Sequence, residues 1–408
     1  MKKAVLTCVC LGSLIGAYKK MSRSSWFIGV GTLFTLSATL VASQMLLPIT
    51  VNRSEGFVLA TALVLSACYL WFGGLFKEPV LEYSAYLVHL TVPLVWLDCL
   101  ASANGINFFD TAELYPSRPT ADTQGRTEEI IGEWFTRTGK RADIILASKV
   151  TGPEDGFNWI RGGVSRFTES SIREAIEGSL RRLQTDYIDL YQLHWPDRGW
   201  THFRKLGQTR PNPNEGADRA ETLATLDALV KEGKIRAWGV SNESPWGVMD
   251  WIARGEAKGQ ARVASIQNPY NLLNRVFDTG NAEVSMNEDV ALLAYSPLAA
   301  GHLSGKYLDG NRPAGSRLAL WPERSGYSSD YGNEVAAKYV ALARDHGLDP
   351  SIMAHAFVYM QPFVTASIPG GTTIEQLQVA LDATTVTLSE EVLKEIHRLH
   401  RQHTYPCP

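Results

Sequence analysis

Apolar and polar positions change rhythm once along this chain. From Ala4 to Leu97 the residues are mostly apolar with few charges, and from Ala101 onward short aliphatic runs alternate with amphipathic stretches. The runs fall at 106–110, 144–149, 187–192, 237–241, 264–267, 291–295 and 364–369. Stretches of helical length lie between most of them, at 128–138, 170–183 and 219–232 among others. In the second of these, Ile172, Ala175, Ile176 and Leu180 recur at steps of three and four behind an opening Thr168-Glu169-Ser170-Ser171. Ser389-Glu390-Glu391 opens a last helix with Val392, Ile396 and Leu399 on one face. Near-continuous apolar strands separated by helices predict a parallel sheet buried on both faces. Seven such units predict a closed α/β barrel, the (β/α)8 TIM barrel. An open doubly wound sheet would carry a GxGxxG turn after its first strand, and none occurs.

The first hundred residues follow another pattern. The stretch at 4–17 has the length of a signal-peptide core behind Lys2 and Lys3, but Tyr18-Lys19-Lys20 is a poor cleavage site. The stretches at 26–51 and 57–76 are uncharged and exceed the ~20 residues that cross a bilayer core. A fourth, at 85–96, is short and contains His89 and Pro93, so it reads as a buried or interfacial helix. Residues 1–96 are therefore expected to form a hydrophobic extension inserted as a two-span hairpin of transmembrane helices. Lys19, Lys20 and Arg23 before it and Lys77 after it put both flanks, and the barrel at 97–408, on the cytoplasmic side. The expectation is a membrane protein facing the cytoplasm. The alternative is an extension foreign to the barrel, which is then cytoplasmic.

Composition narrows the chemistry. The net charge of −3, with 20% charged residues, offers no concentrated positive surface of the kind nucleic acid needs. Cys8, Cys10, Cys68 and Cys99 lie in the first hundred residues and Cys407 is next to last. The body between them has neither a disulfide framework nor a CxxC pair, so no metal site is expected.

In a barrel of this kind the active site forms at the C-terminal ends of the strands. Reading those ends gives Asp110, then Tyr115 in the following loop, Lys149, and His194 after 191–193. A phenol with a pKa near 10 is a weak acid at neutral pH, and a nearby ammonium lowers that pKa. A buried lysine needs a carboxylate partner, a role suited to Asp110. His194 can orient a carbonyl by hydrogen bonding. Taken singly, Asp110 also reads as a helix cap, Tyr115 as a packed loop aromatic, and His194 beside Trp195 and Pro196 as a structural histidine. Their convergence on one end of one barrel favours chemistry.

Several motifs resemble the aldo-keto reductase family: Gly105-Ile-Asn-Phe-Phe-Asp-Thr-Ala-Glu-Leu-Tyr115, Ala147-Ser-Lys-Val150, and Asp186-Tyr-Ile-Asp-Leu-Tyr-Gln-Leu-His-Trp195. Gly239-Val-Ser-Asn-Glu243, Ile266-Gln-Asn-Pro-Tyr270, Ala294-Tyr-Ser-Pro-Leu298 and Gly305-Lys-Tyr307 extend the match to residues 97–408. Arg182-Leu-Gln-Thr-Asp186 and Tyr270-Asn-Leu-Leu-Asn-Arg275 are similar to the Tas-like branch, related to voltage-gated potassium channel β-subunits. The resemblance implies NADP(H)-dependent reduction of a small-molecule carbonyl. Tyr115 would be the general acid, Lys149 its activator, Asp110 the partner of Lys149, and His194 the residue that positions the carbonyl. It assigns the nicotinamide carboxamide to Ser241, Asn242 and Gln267, and stacking on the ring to Tyr295. It assigns the pyrophosphate and 2′-phosphate to Ser296, Leu298, Gly301, Lys306 and Arg317, and the adenosine side to Gly370, Thr372, Thr373 and Gln376. Trp195, Trp200, Phe203 and Trp321 suggest an aromatic-rich substrate wall, or equally the packing of loops.

Two departures stand out. Ala380 occupies a position where the family carries an asparagine near the adenine, a difference worth about 1 kcal/mol. The family's first strand should fall near 78–85, where Lys77-Glu-Pro-Val-Leu-Glu-Tyr-Ser-Ala85 lacks the expected Gly-Thr turn. The first strand is thus expected to be atypical or missing, which would expose sheet edges. A non-catalytic nicotinamide-binding subunit and an inactive rearranged barrel are the competing readings.

Overall fold

The computed structural model describes residues 105–154, 156–163, 165–198, 216–322 and 326–407. Among them the strands are β1 (Phe108–Asp110), β2 (Ile145–Val150), β3 (Ile188–Leu193), β4 (Ile235–Ser241), β5 (Ser265–Pro269), β6 (Ala291–Tyr295) and β7 (Val364–Ile368). Each coincides with one of the seven apolar runs. Every pairing is parallel, and each strand lies beside its neighbour in sequence, from β1 at one end of the order to β7 at the other.

The sheet is curled. In a flat sheet β1 and β5 would stand about 19 Å apart, four spacings of ~4.8 Å. Yet Gln267 Nε2 of β5 donates to Asp110 Oδ1 of β1 at 2.8 Å. Lower down, Ala147, Leu190 and Leu293 form a buried cluster with Phe108, Ala237, Ala366 and Ile368 packed on it. Residues of β1, β2, β3, β4, β6 and β7 therefore share one interior, as in a parallel barrel wrapped by helices. The region near 78–85, where the first strand is expected to be atypical or missing, lies outside the described residues.

The helices start and stop where their end residues dictate. Helix α1 (Arg126–Thr138) closes on Gly139, whose φ of 69° suits glycine. In α2 (Glu169–Leu183) the Thr168 side chain accepts from the Ser171 amide. Helix α3 (Arg219–Lys231) is capped by Asp218, and α4 (Pro245–Lys258) by Ser244 with Pro245 in its first turn. The chain continues through α5 (Asn281–Asn287), α6 (Arg317–Leu320), α7 (Asp330–Asp345), α8 (Pro350–Tyr359), α9 (Ile374–Asp382) and α10 (Glu390–Gln402). Ser389 caps α10 as expected.

Among the described residues no helix is long and apolar enough to cross a membrane. The longest, α7, has 16 residues and carries charges along its length, short of the ~20 apolar residues required. The candidate spans at 26–51 and 57–76 lie outside the described residues.

Candidate active site

The C-terminal ends of β1, β2 and β3 bring three elements of the expected site together. Lys149, next to last in β2, has no exposed side-chain surface. Its ammonium donates to Asp110 Oδ2 at 2.6 Å and to the Thr111 carbonyl at 2.7 Å. Asp110 is thus a counter-charge and not a helix cap. Its other oxygen accepts from Gln267 and, at 3.5 Å, from Gln192 Nε2.

Tyr115 lies on the loop leaving β1. That loop is pinned by Thr111 N to the Ala147 carbonyl, Glu113 N to the Lys149 carbonyl, and Tyr115 N to the Ala112 carbonyl. The Lys149 ammonium stands 5.1 Å from the Tyr115 ring centroid, and the His194 ring meets Tyr115 edge-on at 5.6 Å. All four residues therefore converge. One electrostatic expectation changes in balance: burial pushes the Tyr115 phenol above its ordinary value, and Lys149 and Arg317 only partly oppose that push. Burial, helped by the Lys149 charge, holds the His194 imidazole well below its usual range. His194 is consequently neutral at pH 7, able to donate from one ring nitrogen. Its Nδ1 is buried with no hydrogen-bond partner among the described residues.

Beside the tetrad runs a polar chain. Ser241 Oγ donates to the Gln267 carbonyl at 2.7 Å, Asn242 Nδ2 to the His194 carbonyl at 2.9 Å, and Tyr295 Oη to Asn242 Oδ1 at 2.7 Å. Asn242 (φ 55°) and Ser296 (φ 57°) both adopt the left-handed conformation, re-aiming the backbone just past β4 and β6. The loop after β6 turns left-handed again at Ala299, Ala300 and Gly301. A Cβ on Gly301 would stand 2.7 Å from Lys306 Cε and 3.0 Å from its Nζ, so the end of the lysine would have to move aside, and the φ of 98° itself favours glycine. Lys306 and Arg317 make no ion pair among the described residues. Leu298 opens this loop and Arg317 begins the short α6. After β7, Gly370, Thr372 and Thr373 lead into α9, where Thr373 caps the helix and Gln376 Oε1 accepts from the Thr372 amide. Ala380, on α9, is buried.

Of the aromatic wall, Trp195 packs 4.8 Å from His194, and Phe157 lies 6.4 Å from Trp195 and 5.5 Å from Trp159. Trp321 is part-exposed, while Trp200 and Phe203 lie outside the described residues. Sequence reasoning missed Gln192 beneath Asp110 and the buried pair Glu113–Arg161 behind Tyr115. The only signal for Glu113 was its place inside the motif that carries Asp110 and Tyr115.

The sequence model of the Aldo/keto reductase family matches residues 97–401. This chain belongs to the aldo-keto reductase family. The Tas protein of Escherichia coli K12 is 46% identical over 311 residues, covering 76% of this chain and 89% of its own length. An aldo-keto reductase of Babesia bovis is 34% identical over 276 residues, 63% of this chain and 95% of its own. A probable voltage-gated potassium channel β-subunit of Arabidopsis thaliana is 30% identical over 309 residues, 72% and 84% of the two chains. As a member of this family the chain is an oxidoreductase that uses a nicotinamide cofactor and acts on small molecules.

One expectation is corrected. A membrane protein facing the cytoplasm was expected from the apolar leader, but no described helix can span a bilayer. The Tas relative, matched over 89% of its own length, has too little chain left for a counterpart of residues 1–96. The membrane placement is therefore withdrawn.

Proposed function

We propose that this aldo-keto reductase converts an aldehyde or ketone to an alcohol with NADPH, and that Tyr115 is the general acid. The observation that carries the reading is the buried Lys149–Asp110 pair, with Tyr115 5.1 Å from the ammonium and edge-on to His194. The reduced nicotinamide, when bound, supplies the hydride to the carbonyl carbon. Tyr115 gives its phenolic proton to the carbonyl oxygen. Lys149 opposes the burial that would make the phenolate too costly, and Asp110 keeps Lys149 charged in a dry site. Neutral His194 donates a hydrogen bond that orients the carbonyl.

The residues past β4, β5, β6 and β7 suit the dinucleotide. Ser241, Asn242 and Gln267 offer amide and hydroxyl groups to the carboxamide, and Tyr295 offers its ring to the nicotinamide. Lys306 and Arg317 are cations without an ion-pair partner among the described residues, which suits the anionic pyrophosphate and 2′-phosphate and so favours NADP(H) over NAD(H). Ser296, Leu298 and Gly301 frame that anion site, with Gly301 giving the Lys306 ammonium its room. Gly370, Thr372, Thr373 and Gln376 suit the adenosine side.

Tyr115→Phe should cut reduction of para-nitrobenzaldehyde by about a hundred- to ten-thousandfold. NADPH binding, followed by quenching of tryptophan fluorescence, should stay nearly intact and tighter than NADH binding. Persistent turnover would remove Tyr115 from the acid role. Equal affinity for NADH would remove Lys306 and Arg317 from the 2′-phosphate.

A further inference from the structure

Behind the acid-bearing loop lies a second buried ion pair. Arg161 Nη1 and Glu113 Oε1 are in direct contact, and each side chain is 5% exposed. Glu113 Oε2 accepts from the Thr151 amide at 2.9 Å, just past β2. The Arg161 guanidinium also donates to the Thr151 carbonyl at 3.1 Å and to Ser171 Oγ at 2.9 Å. Arg161 itself sits at φ 45° and ψ 42°, a left-handed conformation that is strained for a residue bearing a Cβ. Three polar contacts thus hold a strained residue in position, and the carboxylate it pairs with is two residues from Tyr115.

The connectivity defines what this pair can do. The loop from Thr111 to Tyr115 is tied to β2 through the backbone of Ala147 and Lys149. The Glu113 carboxylate adds the side-chain anchor, and Arg161 extends it to the segment between β2 and α2 and to the start of α2. Among the described residues neither charged group contacts the side chain of Asp110, Tyr115, Lys149 or His194. We infer that Arg161 is a positioning residue for the reductase reaction, fixing Tyr115 against Lys149 and His194 by clamping Glu113. This rests on the reading of Tyr115 as the acid, and it adds a specific source for that acid's placement.

Loss of the clamp frees the loop, and a displacement on the order of 1 Å at a catalytic group costs about a hundredfold in rate. The Arg161→Met enzyme should therefore show kcat on para-nitrobenzaldehyde lowered by about a hundredfold while its NADPH dissociation constant is unchanged within a factor of two. Arg161→Lys keeps a charge for Glu113 but not the forked contacts to Thr151 and Ser171, so it should recover part of kcat. Should Arg161→Met fail to fold, Arg161→Lys carries the same comparison alone, with kcat lowered and NADPH binding kept.

A double-mutant cycle with Tyr115→Phe separates this role from general destabilisation. If Arg161 acts through Tyr115, its substitution should have little further effect on the residual rate of the Tyr115→Phe enzyme. Additive losses, or NADPH affinity falling in step with kcat, or unchanged kcat in a folded Arg161 variant, would each overturn the clamp. Full turnover in Tyr115→Phe alone would instead overturn the acid assignment, so the two failures are distinguishable.

Discussion

Lys149 sits in β2 with no exposed surface, and its charge is tolerable there because Asp110 lies 2.6 Å away. Removing one partner strands the other, which typically costs about 3–5 kcal/mol. Asp110→Asn should lower the unfolding free energy measured in urea by an amount in that range and also depress turnover. The double variant Asp110→Asn, Lys149→Met should regain part of the lost stability while turnover stays low. A single variant as stable as the parent would mean that the pair does not hold the ammonium. At this scale the convergence of the four candidate residues was legible because each stands at the C-terminal end of a strand or just past it, inside a specific motif. Their electrostatic balance was not. The ammonium beside Tyr115 was foreseen, yet the burial that outweighs it depends on packing from across the barrel. Glu113 and Arg161 were invisible as a pair because 48 positions, including α1 and β2, separate them.

Element boundaries followed the chain closely, since strand runs and helical periodicity are local properties. What holds one helix to the next is not local. In α1, Glu128 is buried and accepts from Arg182 Nε of α2 at 2.8 Å, and its other oxygen accepts from Ser148 of β2. The helices also meet at Gly132, where a Cβ would stand 2.3 Å from the Arg182 carbonyl oxygen and 2.8 Å from the Leu183 carbonyl carbon. On an open helix face, Gly→Ala stabilises by about 1 kcal/mol. Here the sign reverses, and Gly132→Ala should destabilise by about 1–3 kcal/mol through overpacking. A rise in melting temperature for that variant would show that α1 can shift away from α2 at little cost.

At the scale of the whole molecule, burial lowers several of the described histidines. His302 and His355 are both lowered by burial to about 4, from an ordinary 6.5. The unfolded chain takes up a proton at each imidazole near pH 6.5, whereas the folded chain resists until about 4. Stability is therefore complete above pH 6.5 and falls as pH drops through that window, by about 2 kcal/mol per imidazole at pH 5. Denaturant unfolding at pH 7 and pH 5 should show this loss, and His355→Leu should reduce it. Equal stability at the two values would mean that these imidazoles are accessible in the folded state. The barrel class was legible at this scale because seven apolar runs alternate with helices. The membrane expectation failed because it rested on the composition of residues 1–96 alone, apart from the enzyme that follows them.

The Glu113–Arg161 pair also bears on how this sequence can drift. Losing either charge by itself leaves the other buried and uncompensated, two residues from the proposed acid, whereas replacing both with apolar groups of similar volume is far milder. A lineage that abandons the pair must do so in one step or through a crippled intermediate. The two positions are therefore expected to change together, although they lie on different loops of the barrel.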